Sequence, residues 1–307
     1  MSTAQPDIVL LTGGTGGAKL ARGIAEVAGA ERLAAIVNTG DDIEIYGAHV
    51  SPDPDLVSFW LGDVIDERGW GLREDSFAVM DALRELGVDV WFNLGDRDLA
   101  WCVERARMLG EGHTPTAALA HLNDAIGVRS QVLPMSDDPV RTWVRTGSTG
   151  WCAFQEFMIR QRAQGLIEGL EYRGAEQARA SPQALAAIAR ANAIVIGPSN
   201  PLASIGPILA VPGIHDALLD APAPIVAVSP IVGGEVLKGP TASFMAFGAL
   251  DRSADGVVDF YGELLDGIVA DEDVGRLTTL QTDTRMDDAA ARARLAEQTL
   301  SFAQALA

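Results

Sequence analysis

The feature that most constrains the fold of this chain is an apolar run, residues 8–11, that passes directly into a glycine-rich loop, residues 12–17. An amphipathic stretch follows to about residue 27. Strand, tight loop and helix in this order are typical of an anion-binding α/β unit, because glycine allows close backbone approach and the first helical N–H groups point at the same place. The pattern predicts a phosphate-binding loop made of Gly13, Gly14, Thr15, Gly16, Gly17, Ala18 and Lys19.

Two familiar glycine motifs do not fit this loop. In the dinucleotide-binding motif, the position of Lys19 carries a third glycine or alanine. In a P-loop counted from Gly13, Ala18 replaces the second glycine and Leu20 replaces the hydroxyl residue that contacts magnesium. A strand-to-helix turn with nothing bound is the alternative, although four glycines around Thr15 exceed what such a turn requires.

The charge balance limits the class of partner. The 307 residues include 42 acidic and 23 basic side chains, a formal net charge of -19. Such a surface repels nucleic acid and anionic lipid, so an anionic ligand requires a local pocket with N–H donors or a metal. The two cysteines have no metal-ligand spacing, and no apolar run approaches the roughly 20 residues of a membrane span. We expect a cytoplasmic protein that binds small molecules and neither nucleic acid nor membrane.

Acidic residues follow the second predicted strand, residues 33–37. Because parallel strands end at the same edge of a sheet, these carboxylates should lie beside the phosphate loop. Oxygen ligands of this kind suit Mg²⁺ or Mn²⁺, so together they predict a metal site. Capping and turn formation are the alternative role for each aspartate alone. The residues concerned are Asp41, Asp42, Asp53 and Asp55.

Further apolar runs predict more strands at residues 88–95, 193–197 and 224–228. The last two end in turns that contain Ser199-Asn200 and Ser229-Pro230, which offer polar groups to a base or a sugar. All six tryptophans lie between residues 60 and 151, where they form either an aromatic cleft or ordinary core. Residues 287–307 have helical spacing and predict a C-terminal helix.

These motifs, in this order, resemble the 2-phospho-L-lactate transferases of deazaflavin coenzyme F-420 biosynthesis. The resemblance spans nearly the whole chain and is carried by residues 12–19, 38–42, 52–55, 68–71, 94–100, 154–156, 198–201, 204–209, 229–231 and 282–284. One departure is that Pro54 and Leu56 replace the leucine and threonine of the usual acidic motif Pro-Asp-Leu-Asp-Thr. A hydroxyl that orients a metal-bound water is thereby missing.

The resemblance implies a Rossmann-like α/β fold with three layers around a mostly parallel sheet. It implies a single domain, residues 1–307, with a largely helical insertion at about residues 55–190, and a homodimer that uses Mg²⁺. The implied donor is a GDP-linked three-carbon acid: phospholactate, phosphoenolpyruvate or phosphoglycerate. The ribityl hydroxyl of the deazaflavin Fo attacks the phosphorus bearing the acid, and GMP leaves.

The residues themselves supply parts that are compatible with this reaction, which we state as hypotheses. Asp41, Asp42, Asp53 and Asp55 hold the metal, and Asp41 and Asp55 are the catalytic candidates, with Asp55 assisting deprotonation of the attacking hydroxyl. The glycine loop and Asn38 bind the diphosphate. The nucleoside is bordered by Ser199, Asn200, Ser229 and Pro230. Candidates for the deazaflavin and the donor carboxylate are Trp70, Arg73, Arg97, Phe154, Gln155 and Glu156.

Two other protein classes compete with this interpretation. Nucleotide-sugar-binding regulators of the gluconeogenesis-factor type have a similar fold and glycine opening. A Gly-Gly-Ser-rich continuation is expected in them, whereas Ile43-Glu44-Ile45-Tyr46 stands here. A nicotinamide-dependent dehydrogenase is disfavoured by Lys19 and by Asn38, which occupies the position of an acidic ribose-binding residue.

Overall fold

The structure is a computed structural model that describes residues 5–147, 150–236 and 239–307. The strands, in chain order, are β1 (Ile8–Thr12), β2 (Leu33–Val37), β3 (Ile43–Ile45), β4 (Ala48–Val50), β5 (Gln131–Pro134), β6 (Arg141–Thr146), β7 (Gly150–Ala153), β8 (Ile167–Arg173), β9 (Ala193–Ile196), β10 (Ile225–Val228), β11 (Ile231–Val232), β12 (Glu235–Val236), β13 (Gly267–Ala270) and β14 (Thr279–Gln281). The α-helices are α1 (Gly14–Ala28), α2 (Pro52–Leu61), α3 (Ala78–Glu85), α4 (Asp96–Gly110), α5 (Pro115–Ala125), α6 (Pro182–Arg190), α7 (Gly206–Leu209), α8 (Ile214–Leu219), α9 (Thr241–Phe247), α10 (Ala254–Tyr261) and α11 (Ala289–Leu306). Single π-helical turns occur at Glu156–Arg160 and Pro201–Ile205, and 3₁₀ turns at Ala30–Arg32, Ala175–Gln177 and Gly262–Leu264.

Seven parallel strands form the central sheet, in the order β14-β13-β10-β9-β1-β2-β5. Every residue of β1 and β2 is buried, as expected for strands covered on both faces. Val9 and Leu11 of β1 pack into the core under α6, α8 and α10, whereas Ile8 and Leu10 pack into the core under α1, α2 and α11. This three-layer arrangement confirms the predicted Rossmann-like fold.

The strand order reverses beside β1. From β1 the chain passes to β2 and β5 on one side, and it then returns to β9 on the other side and continues outward to β14. In open α/β sheets, ligands bind outside the carboxyl ends of the strands at such a reversal. The glycine loop follows β1, and the Pro-Ser-Asn-Pro turn follows β9, so both lie at this point.

The segment between β2 and β9 differs from the predicted, largely helical insertion. Helices α2 to α5 do form a unit with its own apolar core, which includes Phe59, Met80 and Trp101. However, β6, β7 and β8 form an antiparallel three-stranded sheet, and β5 joins the central sheet. The pairing of these strands was not visible from apolar periodicity, because two of the three buried residues of β6, Thr142 and Thr146, are polar.

The strand predicted at residues 88–95 is wrong. These residues form an irregular loop between α3 and α4. The backbone N–H of Phe92 donates to the Tyr46 hydroxyl rather than to a neighbouring strand. Val90 and Phe92 pack against the core of the helical unit, so tertiary packing accounts for the alternation that resembled a strand.

The predicted C-terminal helix is confirmed as α11. Its buried residues Leu295, Ala296 and Ala303 pack with α1 against the central sheet. Within the described ranges, no helix combines the length and apolar character needed to cross a membrane.

Candidate active site

The glycine loop connects β1 to α1 with almost no space for side chains. Gly14 has a φ of 65°, a left-handed conformation that favours glycine. A Cβ on Gly16 would overlap the carbonyl oxygen of Pro198, which lies in the turn after β9. The loop therefore brings the start of α1 against the end of β9, where the first N–H groups of the helix lack intrahelical acceptors.

Ser199 links the turn after β9 to the glycine loop by hydrogen bonds. Its Oγ donates to the carbonyl of Gly13 at 2.8 Å and accepts from the Gly13 N–H at 3.2 Å. Asn200 caps the following π-helical turn, because its Oδ1 accepts from the N–H groups of Leu202 and Ala203, both at 3.0 Å. The Asn200 Nδ2 is buried and has no hydrogen-bond partner among the described residues, which leaves a donor for a ligand.

Asp53 lies at the positive end of α1. Its Oδ1 accepts from the Gly14 N–H at 2.7 Å, and its Oδ2 accepts from the Asn38 amide at 2.9 Å. Asn38 also accepts from the Gly40 N–H at 2.7 Å through its Oδ1, which shapes the turn that carries Asp41. Asn38 is fully buried, so in this structure it positions the two aspartates instead of lining the cavity.

Asp41 is the second carboxylate that lines the cavity. It is 6% exposed, and its Oδ1 has no hydrogen-bond partner within the described ranges. Burial, followed by the Asp53 carboxylate, raises the pKa of Asp41 well above its ordinary value. Burial is also the main cause that raises the pKa of Asp53, to about 6. Two desolvated carboxylates with an unused oxygen favour a cation, and one or two carboxylates are the protein's usual share of a Mg²⁺ site that also binds substrate phosphates.

These pKa shifts predict a pH-dependent stability. Because the folded pKa of Asp53 exceeds the unfolded pKa, the folded state binds the proton more tightly and stability falls as the pH rises from about 4 to about 6. The loss is on the order of 2–3 kcal/mol. The free energies of unfolding of Asp41→Asn and of the wild type are to be measured in urea without metal. We expect the value for the variant minus the value for the wild type to increase from about pH 4 to about pH 6. A difference that is constant with pH would contradict the raised pKa values.

The loop, the two aspartates and several strand-end turns enclose one cavity of about 600 Å³, a volume ordinary for a cofactor-sized ligand. Its lining contains these residues predicted from the sequence: Gly13, Gly14, Thr15, Gly16, Lys19, Asp41, Asp53, Phe154, Gln155, Ser199, Asn200, Ser229 and Pro230. Gly17 and Ala18 are buried in α1 behind the loop. Lys19 lines the cavity, but its Nζ donates to the carbonyl of Met286 at 2.9 Å, so it also ties a distant segment to α1.

Two of the four aspartates predicted to bind metal do not reach this cavity. The Asp42 carboxylate accepts from the Ser51 hydroxyl at 2.7 Å and lies 3.1 Å from the His49 Nε2. Asp55 forms a buried ion pair with Arg105, whose two terminal nitrogens each contact one carboxylate oxygen. The Trp101 Nε1 donates to the same carboxylate at 2.7 Å. This ion pair holds Asp55 outside the cavity lining and disfavours its assignment as metal ligand and base, which stays a prediction.

The remaining substrate candidates lie outside the lining of the cavity. Trp70 is half exposed and lies under the guanidinium of Arg68, 4.4 Å from its ring centre. The Arg97 Nη1 donates to the carbonyl of Arg73 at 3.1 Å, so these two arginines adjoin each other on the helical unit. Glu156 begins the π-helical turn after Gln155. Their assignment to the acceptor or the donor carboxylate stays a prediction.

A further wall of the cavity was not predicted from the sequence. Thr284, Met286 and Asp287, which follow β14, line it beside Lys19. The hairpin of β11 and β12 contributes Val232 and Val236. The only sequence signal was the Thr-Asp-Thr motif at residues 282–284, which entered the resemblance without a role.

Replacing Gly16 by valine should abolish nucleotide binding. The new side chain would overlap the backbone of Pro198 and separate the two turns that form the cavity. We expect calorimetry to show no GDP binding by Gly16→Val. Gly110→Ala is the control, because a Cβ there meets open space at the end of α4. Wild-type GDP affinity in Gly16→Val would show that this close approach does not form the binding site.

Comparison with known proteins shows the family to which the chain belongs. The family model described as 2-phospho-L-lactate transferase CofD matches residues 8–300. The chain is 38% identical to the 2-phospho-L-lactate transferase of Methanosarcina mazei over 266 residues, which cover 86% of this chain and 87% of that protein. It is 39% identical to the phosphoenolpyruvate transferase of Streptomyces griseus over 316 aligned positions, which cover 97% of this chain and 98% of that protein.

A solved structure supports the fold independently. A Bacillus halodurans protein described as a member of the UPF0052 family superposes with a TM-score of 0.62 at 17% identity, covering 97% of this chain and 99% of that one. This likeness concerns the fold alone. The family match over nearly the whole chain, together with relatives that are named transferases, decides the class of the protein. The chain belongs to the 2-phospho-L-lactate transferase CofD family and is a transferase.

Proposed function

We propose that this chain transfers a three-carbon phosphoacid from a GDP-linked donor to the ribityl hydroxyl of the deazaflavin Fo, with Mg²⁺. The observation that carries the proposal is that Asp41, Asp53 and the glycine loop line one cavity. The carboxylates favour a cation, and the start of α1 favours an anion. A metal-bound diphosphate ester satisfies both.

The donor's diphosphate would lie against the start of α1, where Thr15 and Gly16 line the cavity. Ser199, Asn200, Ser229 and Pro230 would then border the nucleoside from the ends of β9 and β10. Asp41 and Asp53 would hold the Mg²⁺, which neutralises charge on the diphosphate when bound. The unused Oδ1 of Asp41 and the raised pKa values support this assignment.

The reaction forms a bond from the ribityl oxygen to the phosphorus that bears the acid and breaks the bond from that phosphorus to the bridging oxygen of GMP. Phosphoryl transfer of this kind depends on in-line positioning and charge stabilisation more than on covalent help from the protein. A carboxylate oxygen that is not bound to the metal can accept the hydroxyl proton. We assign this role to Asp41, because its Oδ1 has no partner among the described residues, whereas Asp55 is engaged by Arg105.

The acceptor would contact Phe154 and Gln155, which line the cavity and are more than nine-tenths buried. Trp70, Arg73 and Arg97 would contact the deazaflavin or the donor carboxylate from the helical unit. We further propose that the protein acts as a cytoplasmic homodimer. Which of the three acids the donor carries stays open, since relatives of nearly equal identity are named 2-phospho-L-lactate and phosphoenolpyruvate transferases.

The test is incubation of the purified chain with Fo, Mg²⁺ and each of the three GDP-linked acids, with products separated and weighed by mass spectrometry. We expect GMP and a phosphodiester of Fo from at least one donor. If no donor gives product, and a UDP-sugar rather than GDP raises the melting temperature, the protein is instead a nucleotide-sugar-binding regulator.

A further inference from the structure

The antiparallel sheet of β6, β7 and β8 has no role of its own in the proposed function, although it contacts two walls of the cavity. Thr142 of β6 and Tyr172 of β8 stand directly opposite each other in the pairing of these strands, so both side chains point to the same face of the sheet. This face is the inner one, since Thr142 and Thr146 are each 1% exposed. Neither Thr142 nor Tyr172 lines the cavity.

Thr142 contacts the turn that carries Asp41. Its backbone N–H donates to the carbonyl of Gly40 at 2.7 Å. The two residues approach so closely that a Cβ on Gly40 would overlap the Thr142 Oγ1. The same Cβ would lie 3.2 Å from the Cβ of Pro207, in the first turn of α7. The Asp41 turn is therefore enclosed between β6 and α7.

The π-helical turn Pro201–Ile205 leaves one carbonyl without a donor from its own backbone. In a helical turn, the carbonyl of Leu202 would accept from the N–H of residue 206 or residue 207. The Gly206 N–H donates to the carbonyl of Pro201 instead, and Pro207 has no N–H. Because an unpaired carbonyl inside a protein is costly, another part of the chain has to supply the donor.

Tyr172 supplies that donor. Its hydroxyl donates to the Leu202 carbonyl, and a Cβ on Gly206 would overlap the hydroxyl oxygen, so the side chain reaches the backbone of the π-helical turn directly. Burial, and after it the Asp41 carboxylate, raises the pKa of the Tyr172 hydroxyl. The hydroxyl therefore stays protonated at neutral pH and remains a donor.

The π-helical turn that Tyr172 holds is part of the site. Ser204 of this turn lines the cavity, and a Cβ on Gly13 would overlap both Ser204 and the Asp53 carboxylate. The turn thus packs against the glycine loop and one of the two aspartates. The opposed pair on β6 and β8 thereby links this turn to the turn that carries the other aspartate.

We propose that Tyr172 is a positioning residue for the transfer reaction. It touches neither substrate nor metal. Through the Leu202 carbonyl it holds the π-helical turn at a fixed distance from the Asp41 turn, which Thr142 holds from the same face of the sheet. The inference rests on the proposed function, because the groups that it aligns are the proton-accepting carboxylate and the wall of the donor cavity. Misplacement by about 1 Å in such a site can cost about 100-fold in rate.

The first test is Tyr172→Phe, which keeps the ring and removes the hydroxyl. With a donor that the wild type uses, and at a temperature well below melting, we expect kcat to fall by about 10- to 100-fold. KM for the donor and the affinity for GDP should change little, because Ser199 rather than Tyr172 links the turn after β9 to the glycine loop. A wild-type kcat in Tyr172→Phe would overturn the inference.

Two controls separate positioning from a general loss of stability. Ile188→Val removes a methyl group from a fully buried residue of α6 that does not line the cavity, so it should lower the melting temperature and keep the wild-type kcat. Tyr261→Phe removes a buried hydroxyl that has no partner among the described residues, and it should keep both values. Equal losses of kcat in Ile188→Val and Tyr172→Phe would contradict a positioning role.

A second variant tests the missing donor itself. Pro207→Ala keeps a Cβ beside Gly40 and adds a backbone N–H within the turn, at the position from which a π-helical bond would reach the Leu202 carbonyl. Added to Tyr172→Phe, it should recover much of the melting temperature and of kcat, both measured against Pro207→Ala alone. If the double variant loses as much as Tyr172→Phe does, the bond to Leu202 is not what positions the turn, and the inference is wrong.

The failure of this inference differs from the failure of the proposed function. If the wild type transfers and Tyr172→Phe transfers at the same kcat, only the role of Tyr172 is wrong. If the wild type gives no product with any of the three donors, the proposed function is wrong. The role of Tyr172 in transfer is then wrong as well, even where Pro207→Ala restores the melting temperature of Tyr172→Phe.

Discussion

Asp41→Asn is expected to lower the transfer rate by about 10²- to 10⁴-fold while making the metal-free protein more stable. The amide has no charge for a cation and cannot accept the hydroxyl proton, so catalysis loses both contributions. Stability rises because the wild type keeps two buried carboxylates close together, with the Asp41 Oδ1 unpaired. We expect a gain of roughly 1–2 kcal/mol at pH 7.5, a trade of stability against function that is common at active sites.

The measurement combines turnover by mass spectrometry with urea unfolding in a chelator. Asp42→Asn is the matched variant, because Asp42 is the adjacent residue but bonds to Ser51 and His49 away from the cavity. We expect a much smaller loss of turnover in Asp42→Asn and no gain in stability. Equal losses in the two variants would show that Asp42 belongs to the metal site, as the sequence alone predicted.

Arg105→Met is expected to destabilise the protein by about 3–5 kcal/mol, the usual cost of removing one partner of a buried ion pair. Arg105 is 3% exposed, and burial opposes its charge. The Asp55 carboxylate outweighs this effect, so the pKa of Arg105 lies above its ordinary value. Without the guanidinium, Asp55 would be left charged and buried, with the Trp101 indole as its remaining side-chain donor.

Urea unfolding monitored by tryptophan fluorescence measures this cost. Arg107→Met is the control two residues along α4, where the ion pairs with Glu104 and Glu111 are exposed and should contribute less than about 1 kcal/mol. The double variant Arg105→Met with Asp55→Leu should recover much of the loss, because it removes the unpaired charge. Equal effects of the two arginine variants would contradict the placement of Asp55 in a buried pair and restore its candidacy as a metal ligand.

Much of the fold can be predicted from short apolar runs in the sequence. Residues 8–11, 33–37 and 193–197 are continuous apolar runs bounded by glycine or polar turns, which is the signature of strands buried on both faces. Strand β14 was missed because its 3 residues are too few to show a period, whereas β13 was missed although its apolar run is similar to that of β9. The antiparallel sheet of β6, β7 and β8 depends on pairing between segments whose own periodicity is weak.

The sequence predicted the position of a site residue only where that position follows from the order of the strands. Gly13 and Asp41 are brought to the cavity by the ends of the adjacent parallel strands β1 and β2, which sequence order implies, and Asp53 joins them from the first turn of α2. The orientation of Asp55 was not predictable, because it depends on Arg105 and Trp101, 50 and 46 residues away. Thr284, Met286 and Asp287 were missed for the same reason, since they line the cavity only because the segment after β14 packs against α1 through Lys19.

The most direct test of the central claim is a calorimetric titration of GDP into the wild-type protein with Mg²⁺ and, separately, with a chelator. We propose that Asp41 and Asp53 bind a cation that the diphosphate shares. We therefore expect Mg²⁺ to tighten GDP binding by about tenfold or more in the wild type and to have little effect in Asp41→Asn. GDP affinity that is the same with Mg²⁺ and with chelator in the wild type would contradict a shared cation.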